Sequence, residues 1–286
     1  MIAMRSLLFA PGGSAKMLAK APQSGADAVI FDLEDSVQPA GKAAARDLVA
    51  EVLRQRAASG VPIYVRINPL DGDLFEADLR HVLPAAPDGI MLPKPDGPQD
   101  VEKLSRLLEA WETPAMAGRT RIIAICSETA LGTLSLAAAS WRHPRLAGLL
   151  WGAEDLAAAL GASANRDAAG HYTGPFALAR NLCLLAARAA GVTPIDAVYT
   201  DTRDADGLGR EALAARRDGF EAKAAIHPAQ VPIINQAFSY SDAERDWARR
   251  VVAAFEAVPS GAALLDGRMI DRPHLLQARR ILAGRA

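Results

Sequence analysis

The sequence predicts an α/β protein built as a (β/α)8 TIM barrel with a C-terminal helical lid extension. Three observations carry that expectation. The chain has 286 residues, which suits one α/β barrel of about 250 residues plus an extension. Eight short apolar runs alternate with longer amphipathic stretches, the pattern of βα units around a parallel sheet. Charged residues then fall at the C-terminal ends of five consecutive runs, where the loops of such a barrel converge.

The runs that read as strands are Ser6 to Phe9, Ala28 to Asp32, Ile63 to Ile67, Gly89 to Leu92, Arg121 to Cys126, Ala147 to Trp151, Ala197 to Tyr199 and Ala222 to Ile226. Helical patterns lie between them, among them Gly41 to Gly60, "PQDVEKLSRLLEAWE" and "GPFALARNLCLLAARAAG". Each closes near Gly or Pro, as helices do. After Pro228 the pattern changes to a charged helix, "SDAERDWARRVVAAFEAV", then the turn-rich "PSGAALLDGRMIDRP" and a last helix ending in "QARRILAGRA". Residues 1–238 are therefore assigned to the barrel. Residues 239–286 form an extension expected to pack over the barrel or onto a neighbouring subunit.

Lys plus Arg (32) nearly balance Asp plus Glu (33), a net charge of -1. No overall field attracts nucleic acid or an anionic membrane, so neither is an expected partner. No apolar stretch approaches the roughly 18 residues of a membrane span. The N-terminal apolar run stops at Pro11-Gly12-Gly13, too short for a secretory h-region. A cytoplasmic location is expected. Cys126 and Cys183 have neither metal-ligand nor redox spacing, and read as reduced, buried and structural.

The stretch "AVIFDLEDSV" (28–37) places Asp32, Glu34 and Asp35 within four residues. Such carboxylates repel one another unless something positive sits near or all face water. The next strand ends carry Arg66 in "YVRINP", Lys94 in "MLPKP", Glu128 in "ICSETALG", and Glu154 and Asp155 in "WGAEDLAAALG". A rim of carboxylates with no His or Cys at ligand spacing suits a hard divalent cation, and Mg2+ is the one expected. Mg2+ takes only one or two protein carboxylates and keeps several waters. Glu128 and Asp155 could then bind directly while Glu34 and Asp35 hold its waters. Arg66 offers a bidentate fork for a substrate carboxylate.

Plainer readings stand beside these. Glu154 or Asp155 could cap the helix that follows, Arg66 could form a structural bridge, and Lys94 between two prolines could be solvated. The Gly-rich "APGGSAKMLAKA" could present backbone N–H groups with Lys16 or Lys20 to phosphate oxygens. It could equally be a turn with Ser14 as N-cap, since it has neither P-loop nor dinucleotide spacing. His227 in "AAIHPAQ" ends the eighth run and could face the site or be structural.

Taken together, "RSLLFAPG", "DAVIFDLEDSV", "YVRINPLDGD", "MLPKP", "SETALG", "WGAEDLAAALG", "IDAVYTDTRDADGL", "KAAIHPAQ" and "GRMIDRPHLLQAR" resemble the citrate lyase β-subunit-like family of CoA-ester lyases. Malyl-CoA and citramalyl-CoA lyases share its HpcH/HpaI aldolase superfamily. The resemblance runs in order over nearly the whole chain. It departs at Ser36, where many relatives have Ala, and at "APGGSAK", where a more charged loop is common.

The resemblance implies a TIM barrel with a C-terminal lid, assembled as a homotrimer or hexamer. It also implies Mg2+-dependent, reversible carbon–carbon cleavage of a β-hydroxyacyl thioester, with a CoA thioester and a small 2-oxo acid as partners. By matching position, Glu128 and Asp155 are its metal ligands, Arg66 its substrate-oxygen binder, and Glu34 and Asp35 its outer-shell acids. Asp271 matches an aspartate that reaches an adjacent subunit's site as acid/base. The plainer reading of Asp271 is a turn or helix N-cap before Pro273. Lys16, Lys20, Lys94 and His227 are the candidate substrate or CoA contacts. Three other activities fit the same motifs: the β subunit of a multi-subunit citrate lyase acting on an acyl-carrier protein, a malyl-CoA thioesterase, and a non-catalytic scaffold.

Overall fold

The computed structural model describes residues 4–56, 60–257 and 262–284. The start of the barrel assignment at 1–3, the end of the second expected helix at 57–59, the turn at 258–261 and the last two residues lie outside the described residues.

Eight parallel strands close into a barrel in sequence order. They are β1 (Ser6–Pro11), β2 (Ala28–Asp32), β3 (Ile63–Arg66), β4 (Gly89–Leu92), β5 (Arg121–Ile125), β6 (Leu146–Leu150), β7 (Thr193–Asp196) and β8 (Ala222–Ala225). The helices around them are α1 (Ala15–Lys20), α2 (Lys42–Gln55), α3 (Phe75–Val82), α4 (Pro98–Trp111), α5 (Ala130–Ala138), α6 (Ala153–Leu160), α7 (Gly174–Ala190), α8 (Ala205–Asp218) and α9 (Gln230–Ala237). The expected fold class is the observed one.

Side chains at alternate positions fill the interior: Ala28 and Ile30 on β2, Ile123 and Ile125 on β5, Ala222 and Ala224 on β8, with Leu7, Tyr64, Met91 and Ile195. The strands read as continuous apolar runs because helices cover their other face, and every residue of β2, β4 and β6 is buried. One more step of the alternation brings Asp32 and Arg66, which are register partners, to the C-terminal rim. Cys126 and Cys183 are free and buried, each with its sulfur against a β6 carbonyl, Leu150 O at 3.3 Å and Leu149 O at 3.6 Å.

The seventh strand differs from the expected Ala197 to Tyr199: it is Thr193–Asp196 and contains Pro194. Proline lacks one donor, but its carbonyl still accepts Glu221 N–H at 3.0 Å. The stretch expected to be the strand instead gives its carbonyls to side chains. Ala197 O accepts Lys223 Nζ at 2.6 Å and Tyr199 O accepts Gln230 Nε2 at 2.8 Å.

The chain divides into two compact units, residues 4–235 and the segment from residue 236 onward. The second contains α10 (Asp242–Glu256), β9 (Ala262–Leu265), β10 (Arg268–Asp271) and α11 (Arg272–Ala283). It is therefore not wholly helical: the turn-rich stretch folds as an antiparallel hairpin with Leu265 opposite Arg268. Asp266 and Gly267, both at positive φ, form the two-residue loop that such a hairpin favours. Ala248, Val251, Ala263, Ile270, Ala278 and Ile281 make this unit's own core. Ser241 opens α10 with a capping box to Glu244. Among the described residues no helix is long and apolar enough to cross a membrane.

Candidate active site

Two cations answer the crowding of acids after β2. Arg66, at the end of β3, donates from Nε to Asp32 Oδ1 and from Nη2 to Asp32 Oδ2, both at 2.7 Å. Its Nη1 lies 2.8 Å from Glu34 Oε2 and 3.9 Å from Asp35 Oδ2. Lys94, just beyond β4, places its ammonium against Glu34 Oε1, 3.4 Å from Asp35 Oδ2 and 3.1 Å from Asp155 Oδ1. Its backbone N–H donates to Glu128 Oε2 at 2.7 Å. Arg66, Lys94, Glu34, Asp35, Glu128 and Asp155 therefore converge at one end of the barrel, drawn from β2 to β6.

Local structure explains the convergence. Asp32 accepts the N–H groups of Glu34 (2.9 Å) and Ser36 (3.2 Å) as well as Arg66, so the loop curls over its own strand end. Lys42, in the first turn of α2, is buried and donates to the carbonyls of Leu33 (2.7 Å) and Glu34 (2.6 Å) and to Asn68 Oδ1 (2.8 Å). Gly12 N–H donates to Asp32 O at 2.8 Å, and a Cβ there would stand 2.5 Å from that oxygen. That contact, with Ser14 capping α1, accounts for the Gly-rich stretch as a turn. Gly152 likewise leaves room for Glu128, whose Cγ would lie 2.6 Å from a Cβ on residue 152.

Asp155 sits in the first turn of α6, where Gly152 is the N-cap and makes no side-chain cap bond. Its carboxylate is thus spent on Lys94, not on capping. Glu154 turns to Asn165 Nδ2 at 2.8 Å. Lys16 and Lys20 are exposed on α1, and His227 is exposed after β8, accepting Ala229 N–H at Nδ1. Among the described residues no hydrogen bond or ion pair links these three to the acid cluster. Asp271 belongs to the second unit, where it is the N-cap of α11 with its Oδ1 2.6 Å from His274 Nδ1.

The electrostatics separate the acids. Burial would raise the Asp32 carboxyl, but its bonds from Arg66 hold it below the usual carboxylate range. Burial pushes Glu34 up despite Arg66 and Lys94. Glu128 is driven well above the usual range by burial, and the charges of Asp155 and Glu34 add to the effect. Glu34 Oε2 is also buried without a hydrogen bond, its 2.8 Å approach to Arg66 Nη1 lying off the N–H direction.

These features fit Mg2+ held by few protein ligands. One or two carboxylates completed by waters are the habit of Mg2+. Glu128 and Asp155, which both contact Lys94, are two such carboxylates at this rim.

Sequence reasoning missed the buried roles of Lys42 and Gly152 and the service of Asp32 to Arg66. For Asp32 a signal existed, since parallel neighbouring strands both end in a charge of opposite sign. Lys42 at the start of an amphipathic helix reads as solvated, and nothing local marks it.

An eight-stranded barrel with charged groups gathered at its C-terminal rim has the build of a barrel enzyme. The chain belongs to the HpcH/HpaI aldolase/citrate lyase family, whose profile matches residues 5–228. It is 38% identical over 282 residues to the (3S)-malyl-CoA thioesterase of Cereibacter sphaeroides (strain ATCC 17025 / ATH 2.4.3), covering 98% of this chain and 93% of that protein. It is 32% identical over 291 residues to the mitochondrial citramalyl-CoA lyase of Rattus norvegicus, covering 97% and 85%. Among solved structures, protein CitE of Mycobacterium tuberculosis in complex with magnesium, acetoacetate and coenzyme A superposes with a TM-score of 0.78 at 35% identity, covering 98% of this chain and 97% of that one.

Proposed function

We propose that the protein is a Mg2+-dependent carbon–carbon lyase that reversibly cleaves a β-hydroxyacyl-CoA of malyl, citramalyl or citryl type into an acyl-CoA and a 2-oxo acid. The observation that carries this reading is the meeting of Glu128 and Asp155 with the outer acids Glu34 and Asp35 and the partly buried Arg66 at one rim. The magnesium, acetoacetate and coenzyme A of the CitE complex and the citramalyl-CoA lyase relative support it.

Glu128 and Asp155 would hold the metal, and Glu34 and Asp35 would orient its waters. Bound Mg2+ would supply Lewis-acid stabilisation of negative charge on the substrate oxygens. Arg66 keeps an Nη edge beyond its Asp32 bonds and would hold the keto and carboxylate oxygens of the 2-oxo acid, fixed charge that needs no reorganisation during reaction. Asp271, reaching in from an adjacent subunit, would donate a proton to the acyl-thioester carbanion after cleavage and remove it in the condensation direction. Asp271→Asn is expected to leave Mg2+ binding intact and lower turnover by about 10²-fold or more. Unchanged turnover would take Asp271 out of the mechanism.

A second reading, hydrolysis of the thioester, is favoured by the 38% identity to a malyl-CoA thioesterase. One experiment separates the two. Purified protein is incubated with Mg2+, acetyl-CoA or propionyl-CoA, and glyoxylate, pyruvate or oxaloacetate, then with malyl-CoA alone, with EDTA controls and mass spectrometry of the products. Metal-dependent condensation supports the lyase and names its oxo acid. Free CoA released from malyl-CoA with the hydroxy diacid intact supports hydrolysis. Neither product sinks both readings.

A further inference from the structure

Lys94 contacts every acid assigned above to the metal and its waters. Its ammonium meets Glu34, Asp35 and Asp155, and its N–H meets Glu128. The residue stands at φ 49°, a left-handed conformation uncommon for a side chain with a Cβ and costly to hold. Pro93 and Pro95 flank it and limit how its backbone can relax. That strained backbone is what lets one residue send its N–H to Glu128 and its side chain across to β2. The Lys94 side chain is 28% exposed, and its ammonium rides on a flexible four-carbon stem that can swing away.

We propose that Lys94 is a built-in counter-cation that holds the acid cluster together in the metal-free protein and competes with the divalent cation for Asp155 and Glu34. This rests on the Mg2+ reading above. A monovalent ammonium near the cation site lowers metal affinity by charge repulsion at short range. In return it prevents four carboxylates from repelling the rim apart before metal arrives. The two consequences have opposite signs in one variant. Lys94→Met should bind the metal more tightly and melt earlier without it.

The test uses Mn2+ as probe, read by electron paramagnetic resonance titration, with melting curves in EDTA and at saturating Mn2+. Lys94→Met, with Lys94→Gln as a second neutral variant should the first not fold, is expected to tighten Mn2+ about ten-fold and to lower the metal-free melting temperature by several degrees. Saturating Mn2+ should close that gap, and Lys94→Arg should stay within a few-fold of wild type. Wild type binding Mn2+ while the neutral variants bind no tighter would overturn the role of Lys94 and leave the Mg2+ reading standing. Wild type binding no Mn2+ would sink the Mg2+ reading and this proposal with it.

Discussion

Replacing Lys223 by Met is expected to destabilise the protein by about 3–5 kcal/mol, although the residue lies outside the acid cluster. Lys223 on β8 is fully buried, and its ammonium donates to Asp196 Oδ2 at 2.9 Å, Glu211 Oε1 at 2.8 Å and Ala197 O at 2.6 Å. Its neighbours Ala222 and Ala224 fill the barrel interior, so Lys223 points outward between the strands and the helices. Asp196 is buried too, and it accepts from Trp151 Nε1 at 2.8 Å and Arg180 Nε at 3.2 Å. Burial would raise the Asp196 carboxyl, but Lys223, Arg180 and Trp151 together hold it below its ordinary range. Removing Lys223 leaves two acids short of a partner where water cannot replace it. Thermal melts should fall on the order of 10 °C. The double variant Lys223→Met, Asp196→Leu should not recover the loss, because Trp151 Nε1, Arg180 and Glu211 would each still lack a partner that the network supplied. A single variant that melts within a degree of wild type would show that this network contributes nothing net.

That network also marks how far the sequence could be read. The barrel was legible because apolar runs and amphipathic stretches alternate with different periods, and the acid-bearing strand ends followed from position alone. Lys223 was not, because a lysine in "AKAA" looks like a solvated residue, and only the paired Asp196 and Glu211 from β7 and α8 make its burial tolerable. The same reason hid Lys42. Pro194 concealed β7, since a proline argues against a strand unless its missing donor is spare. The hairpin of the second unit carried a local signal, Asp266-Gly267 between "AALL" and "RMID", that composition as a turn-rich stretch obscured. At the rim, charge type and strand position located Glu34, Asp35, Arg66, Lys94, Glu128 and Asp155. Which cation serves which acid depended on side-chain reach across strands and could not be read from spacing.

Asp32→Asn is the second large effect expected, and it separates aiming from chemistry. All four hydrogen bonds that the Asp32 carboxylate accepts are made: two from Arg66, one from Glu34 N–H and one from Ser36 N–H. Asn keeps the shape but turns one oxygen into a donor, which must then face the N–H of Arg66 or of the loop. Arg66 would lose its bidentate partner and its orientation, while Glu128 and Asp155, held from β5 and α6, would keep theirs. Mn2+ affinity should therefore stay within a few-fold of wild type. If Arg66 steadies charge on the substrate oxygens, kcat/KM should drop by roughly 10²–10³-fold, the effect of losing one preorganised donor. The decisive comparison is the pair. Because Asp32 acts through Arg66, Asp32→Asn should add little to Arg66→Ala, and the two losses should be far from additive. Independent, multiplying losses would mean that Asp32 serves the reaction by another route, with the acid loop rather than the arginine as its client.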